Sequence, residues 1–286
     1  MALLEFGNVV IIDYSDIKFS KTTNVIDIVN HTVNTWQYGR SYLDKQKDTE
    51  LGKMAEDAVM SVFNMFDISG YYPYDDFRSD NFELHAPFDG VFTNKLDNNI
   101  VNFINNSVQE EGNRLSIKTR NYLRENNVYT VEIKSTRLTQ KYKDRANFSN
   151  YNDKASVLRL IDGLMNLDYL TYPHYTRYGD MSYYEYCEFV NQRLNIGLHG
   201  EALYKYVEKL EMSFATDIYI RVFMDEFEKK ALIMGWIDKE RFFNSPRTHK
   251  LILPGKSEVP LYFVKSLKMG SNIKELKNII KKATPY

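Results

Sequence analysis

The sequence predicts an α/β fold, a central mixed β-sheet flanked by helices. Three observations predict it. Residues 49–66 carry an apolar stripe at helical spacing, residues 129–137 alternate as a strand, and a mostly helical block over 152–211 is followed by two further strands, 216–224 and 229–237. Helix, strands, helical block and more strands is the order of a sheet with helices packed on it.

Taken in order, the opening MALLEFGNVVIIDYSD is apolar but has no basic leading segment and no small-residue cleavage site. It is not expected to be a signal peptide, and no apolar run reaches the length of a membrane span. In TELGKMAEDAVMSVFNMF, Leu51, Met54, Ala55, Ala58, Val59, Val62, Phe63 and Phe66 share one helix face, Thr49 suits an N-cap, and Glu56 falls at the edge of the stripe. YYPYDDFR follows, then NFELHAPFDGVFTNK, which reads as two strand pieces meeting near Pro87. Residues 94–127 are polar and Asn-rich, an excursion between strands with a short helix around SIKTRNYLREN. YTVEIKSTR (129–137) is the apolar strand.

KASVLRLIDGLMNLDYL, MSYYEYCEFVNQRL and GEALYKYVEKLEM make the helical block, and TDIYIRVFM and KKALIMGWI the strands after it. The tail adds a strand-like PLYFVKSL and a basic helix, NIKELKNIIKK. No repeat and no Pro/Gly/Ser-rich linker divides the chain. The expectation is one domain over 1–286, with its core at about 45–240, a helical insertion at 152–211 and a C-terminal extension at 241–286.

The 286 residues suffice for a sizeable core. A net charge of −1 leaves nucleic-acid contact to local patches rather than a global field. Cys187 is the only cysteine, which excludes a disulfide framework and a multi-cysteine zinc site and fits a reducing, cytoplasmic setting. Twenty-two Tyr and 17 Phe suit a sheet-containing core and aromatic contact surfaces.

Strand 129–137 poses the chemical question. Glu132 and Lys134 are two residues apart, so both point to one face. Two charges beside apolar surface are costly unless paired, hydrated or bound. Asp89, in APFDGVF, precedes Gly90 at a strand. If the two strands are neighbours, Asp89 and Glu132 converge at one sheet edge, where paired carboxylates suit a hard divalent cation such as Mg²⁺ or Mn²⁺. Lys134 then stands beside a metal-bound water, an arrangement for attack on a phosphodiester.

Pro87-Phe88-Asp89, Glu132-Ile133-Lys134 and the upstream helix bearing Glu56 resemble the PD-(D/E)XK nuclease superfamily, the group with the restriction-endonuclease-like fold. The resemblance covers roughly residues 45–240 and extends to the strands IYIRVFM and ALIMGWIDKERFF. It implies that Asp89, Glu132 and the Ile133 carbonyl ligate the metal, that Lys134 positions the nucleophilic water, and that Glu56 is an accessory carboxylate. It departs in the long gap from Asp89 to Glu132, which needs an inserted excursion. The plainer reading leaves Glu132 and Lys134 as a surface pair and Asp89 as a turn residue.

Residues 114–145 hold Arg114, Lys118, Arg120, Arg124, Lys134, Arg137, Lys141, Lys143 and Arg145 against Glu125, Glu132 and Asp144, a local charge of +6. Beside the candidate site this reads as DNA-contacting surface; alone it reads as a solvated basic face. The aromatic run YLTYPHYTRYGDMSYYEY reads first as packing, and otherwise as a dimer interface or a base-stacking surface. The GKS of LPGKS (253–257) lacks the earlier glycine of a phosphate-binding loop and reads as a turn. His31, His85, His174, His199 and His249 show no ligand spacing. His85 is read as structural or DNA-facing.

The resulting expectation is a metal-dependent endonuclease acting on double-stranded DNA. The first choice within it is a sequence-specific type II restriction endonuclease, a homodimer with a cognate methyltransferase encoded nearby. The alternatives are a less specific defence or repair nuclease working with partner proteins, and a non-catalytic DNA-binding module. RNA is left open as a substrate.

Overall fold

The computed structural model describes residues 4–18, 42–250 and 260–282. The amino-terminal apolar stretch forms a hairpin, β1 (Leu4–Phe6) and β2 (Val9–Asp13). Next come α1 (Tyr42–Met65), β3 (Tyr71–Pro73), β4 (Gly90–Phe92), α2 (Asn98–Glu111), α3 (Ile117–Glu125) and β5 (Tyr129–Arg137). The helical block holds α4 (Gln140–Arg145), α5 (Lys154–Met165), a strand β6 (Asp168–Thr171), α6 (Tyr183–Leu194) and α7 (Gly200–Phe214). The chain continues with β7 (Ile218–Asp225), β8 (Lys230–Asp238), α8 (Lys239–Phe243), β9 (Arg247–Lys250), β10 (Leu261–Ser266) and α9 (Lys277–Lys282).

Seven strands form a mixed central sheet in the order β1-β2-β8-β7-β5-β4-β3. Among the described residues only β5 and β7 run parallel in this sheet; its other pairings are antiparallel. A second, antiparallel sheet runs β6-β10-β9, so the expected helical insertion and the C-terminal extension share a sheet.

Strand alternation sorts the core between the two faces of the central sheet. Val10, Ile12, Val131, Ile133, Ile218, Ile220 and Val222 pack on the α1 stripe of Leu51, Ala55, Ala58, Val59, Val62 and Phe63. Val9, Ile11, Tyr219, Phe223 and Leu232 pack on the opposite side, against side chains of α5, α6, α7 and the second sheet. Because Val131 and Ile133 face α1, Glu132 and Lys134 face the other way.

Several sequence expectations change in detail. The first helix begins by Tyr42, so Thr49 lies inside it and caps nothing. Of the two strand pieces expected around Pro87, only Gly90–Phe92 is a strand, and residues 82–89 are irregular. The polar excursion contains the expected short helix as α3 and also a longer one, α2. Asp97 caps α2 by accepting from Asn99 and Ile100 N–H, and Ser116 caps α3 by accepting from Thr119 N–H. The basic tail opens as a 3₁₀ turn, Ile273–Leu276, before α9. The LPGKS turn and His31 lie outside the described residues.

The α2–α3 excursion allows β4 and β5 to be antiparallel neighbours despite their separation in sequence. Ile100, Ile104 and Val108 of α2 and Leu123 of α3 bury against Tyr74, Phe88 and Val91, a third apolar cluster at this end of the sheet. That burial offsets the loop-closure entropy of the insertion, which grows only slowly with length.

Candidate active site

In the β4–β5 ladder Gly90 faces Val131, which places Asp89 opposite Glu132. The ladder distorts there: Asp89 N–H donates to Val131 O (2.9 Å), one residue out of that register. The next main-chain donor, Ile133 N–H, is taken by the Asp89 side chain, with Oδ2 accepting at 2.5 Å. The aspartate is therefore fixed to β5 itself. Lys134 Nζ lies 2.5 Å from Glu132 Oε1 and 5.8 Å from the Tyr172 ring centroid. Asp89 is thus tied to β5 between Glu132 and Lys134, within electrostatic reach of both.

Electrostatics reports the crowding. Burial, then the charge of Glu132, pushes the Asp89 carboxyl up to about 7, against the opposing pull of Lys134, the Ile133 N–H and Lys53. Burial would lower Lys134, but Glu132 and Asp89 outweigh it and hold the ammonium above its ordinary range. Lys134 is therefore a firmly charged cation.

Glu56 has a different setting. It is on α1, the side of the sheet facing away from Glu132 and Lys134, and Lys53 Nζ donates to both its oxygens at 3.0 and 2.8 Å. Lys53 also pairs with Asp75 at 2.6 Å. Burial raises the Glu56 carboxyl to about 8 against the pull of Lys53, with Asp89 and Asp75 adding to the rise. Asp89 thus lies within electrostatic reach of both clusters, while Glu56 keeps Lys53 as its immediate partner. The sequence reading missed Lys53 and Asp75. Lys53 was visible as an i, i+3 partner of Glu56; Asp75 had no local signal.

The predicted DNA-contacting residues do not act as one set. Arg124 is paired with Asp217 (2.6 Å), Arg137 with Asp48 and Glu226 (both 2.8 Å), and Lys143 is buried against Asp225 (2.7 Å). Lys118, Lys141 and Arg145 are exposed. Arg114 and Arg120 line a cleft of about 120 Å³, open to solvent, that Glu132 and Lys134 also line. Tyr172, His174 and Arg177, from the aromatic run read first as packing, line the same cleft. His85 lines it too, its Nδ1 2.7 Å from Ala86 O.

No protein-family model, no curated protein and no solved structure matches the chain. Among the described residues, no group of three His, Cys, Asp or Glu side chains is placed to hold a metal ion. A metal at this site would rest on the Asp89 and Glu132 carboxylates, a main-chain carbonyl such as that of Ile133, and water. The donors fit a hard dication. All are oxygen, as Mg²⁺ and Mn²⁺ require, and a bound dication would offset both the burial and the Glu132 charge that raise Asp89. Among the described residues no helix is long and apolar enough to cross a membrane.

Proposed function

We propose that the chain is a metal-dependent nuclease hydrolysing DNA phosphodiester bonds, with Asp89, Glu132 and Lys134 as its working residues. The observation that carries this reading is the tethering of Asp89 to the Ile133 N–H beside the Glu132–Lys134 pair. That bond sets one carboxylate against another across two strands, with a fixed ammonium alongside.

A bound Mg²⁺ would supply Lewis acidity and lower the pKa of a water. The chain's own residues do the rest. Asp89 and Glu132 supply oxygen donors whose positions are fixed by the sheet. Lys134, kept charged by Glu132 and Asp89, orients a nucleophile or stabilises the negative charge developing on the phosphate. Glu56, held by Lys53, shapes the charge balance at Asp89 from the far side. Within this reading a sequence-specific homodimeric restriction endonuclease is the first choice, since cutting both strands needs two such sites.

The test is cleavage of plasmid DNA with Mg²⁺ by Glu132→Ala and Lys134→Ala. Each is expected to lose at least a hundredfold in rate while keeping the wild-type circular dichroism spectrum and a cooperative melt, because both side chains line the open cleft rather than the packed part of their sheet face. Full activity in both variants sinks the reading. Discrete bands identify a sequence-specific enzyme, and a smear a less specific one.

A further inference from the structure

The cleft beside Glu132 and Lys134 carries more positive charge than its own carboxylates answer. Arg114, Arg120 and Arg177 all line it. Arg120 is 6% exposed; Nη1 donates to Ala215 O at 3.3 Å, and its buried Nε–H has no acceptor. Arg177 lies over the Tyr172 ring at 5.1 Å and makes no ion pair with any described residue. Arg114 donates to the His174 carbonyl at 2.5 Å and likewise has no carboxylate partner among the described residues.

Two carboxylates line the cleft, and both are engaged elsewhere. Glu132 holds Lys134, and Glu211 accepts from the Tyr186 hydroxyl and from His174 N–H. The His174 ring stacks on Phe214 with centroids 3.7 Å apart and planes 6° from parallel. Burial, then Arg114, Arg120 and Arg177, drives His174 down to about 4, so it is neutral at physiological pH and adds no charge.

We propose that this cleft is a binding site for a phosphate group, held by Arg114, Arg120 and Arg177. Several guanidinium groups around one concavity repel each other and lose hydration, a cost that an anion reverses. A phosphate offers acceptor oxygens in the geometry that guanidinium forks match. The stacked His174–Phe214 pair and Tyr172 give the cleft an aromatic wall suited to a nucleotide carrying that phosphate. Phosphate binding stands on the cleft alone. Its identification as a strand phosphate held next to the bond being cut rests on the nuclease reading.

The test is calorimetric titration of the full chain, in EDTA and phosphate-free buffer, with inorganic phosphate, thymidine 5′-monophosphate and the dinucleotide TpT, which has no terminal phosphate. Saturable one-site binding of at least one probe is expected, weakened at least tenfold in the double variant Arg114→Gln/Arg177→Gln. Neither position is in the buried core, and the double variant's melting curve verifies its fold. Tighter binding of the monophosphate assigns the site to a strand terminus; equal or tighter binding of TpT assigns it to an internal phosphodiester. No saturable binding by any probe, or an unchanged affinity in the folded double variant, overturns the proposal. All arms omit divalent metal, so they fail or succeed separately from the cleavage assay that tests the nuclease reading.

Discussion

Glu211 offers a stability test of the cleft wall. It is 3% exposed in α7, and its carboxylate accepts from the Tyr186 hydroxyl and, at 2.9 Å, from His174 N–H. Burial raises its carboxyl from 4.5 to about 7, with Tyr186, the His174 N–H and Arg114 pulling the other way. A folded-state pKa above the unfolded one means that the native state holds the proton more tightly. Its stabilising contribution is therefore complete below pH 4.5 and is lost as pH rises through 7. At about 1.36 kcal/mol per pKa unit, the shift from 4.5 to about 7 is worth about 3 kcal/mol. Glu211→Gln cannot ionise and removes this dependence. Urea unfolding of both proteins between pH 4.5 and 8, in phosphate-free buffer, should show the wild type losing about 3 kcal/mol more than the variant across that range. Because the variant retains every other titrating group, the difference isolates Glu211. Parallel pH profiles for the two proteins refute the reasoning.

Other perturbations test separate parts of the structure. Asp225 is fully buried and accepts from Lys143, the Tyr151 hydroxyl and Glu228 N–H; Asp225→Ala strands the Lys143 ammonium and should cost about 3–5 kcal/mol in denaturant unfolding. Gly235 in β8 has φ +84°, and a Cβ there would meet Ser271 O at 2.4 Å and Asn8 O at 3.3 Å; Gly235→Ala should destabilise by about 1–3 kcal/mol, read as a lowered melting temperature. Mg²⁺ and Mn²⁺ should each support DNA cleavage and Ca²⁺ only DNA binding, because Ca²⁺ is larger and acidifies its water less; cleavage in EDTA at the Mg²⁺ rate contradicts the proposed chemistry.

The sheet was legible where local pattern and tertiary environment agree. Strand 129–137 is β5 residue for residue, and 216–224 and 229–237 are β7 and β8 shifted by one or two positions. In each, alternation or a continuous apolar run records faces that are in fact buried. The misses lie where local signal is weak. Helix α2, NNIVNFINNSVQEE, carries five Asn among its 14 residues, and Asn favours turns when read locally; its helicity comes from the Asp97 cap and from burying Ile100, Ile104 and Val108. β6 sat unseen between two helices because its partner, β10, lies about ninety residues further on.

The candidate site divides in the same way. Asp89, Glu132 and Lys134 were readable because strand alternation and one correct neighbour relation suffice to bring them together. The basic segment 114–145 was not, since a count of charges along the chain says nothing of the partners that fold against them. Asp217, Asp225 and Glu226, all at or beside β7, neutralise Arg124, Lys143 and Arg137 from about ninety residues away. Lys118, Lys141 and Arg145 stay exposed away from the cleft, and what the segment leaves at the cleft is smaller than the sequence count and differently composed: Arg114 and Arg120, joined by Arg177 from an aromatic run that looked like packing. Its position is what gives it meaning. These three arginines open onto the same cleft as Glu132 and Lys134, so an anion drawn to them arrives beside that ammonium–carboxylate pair.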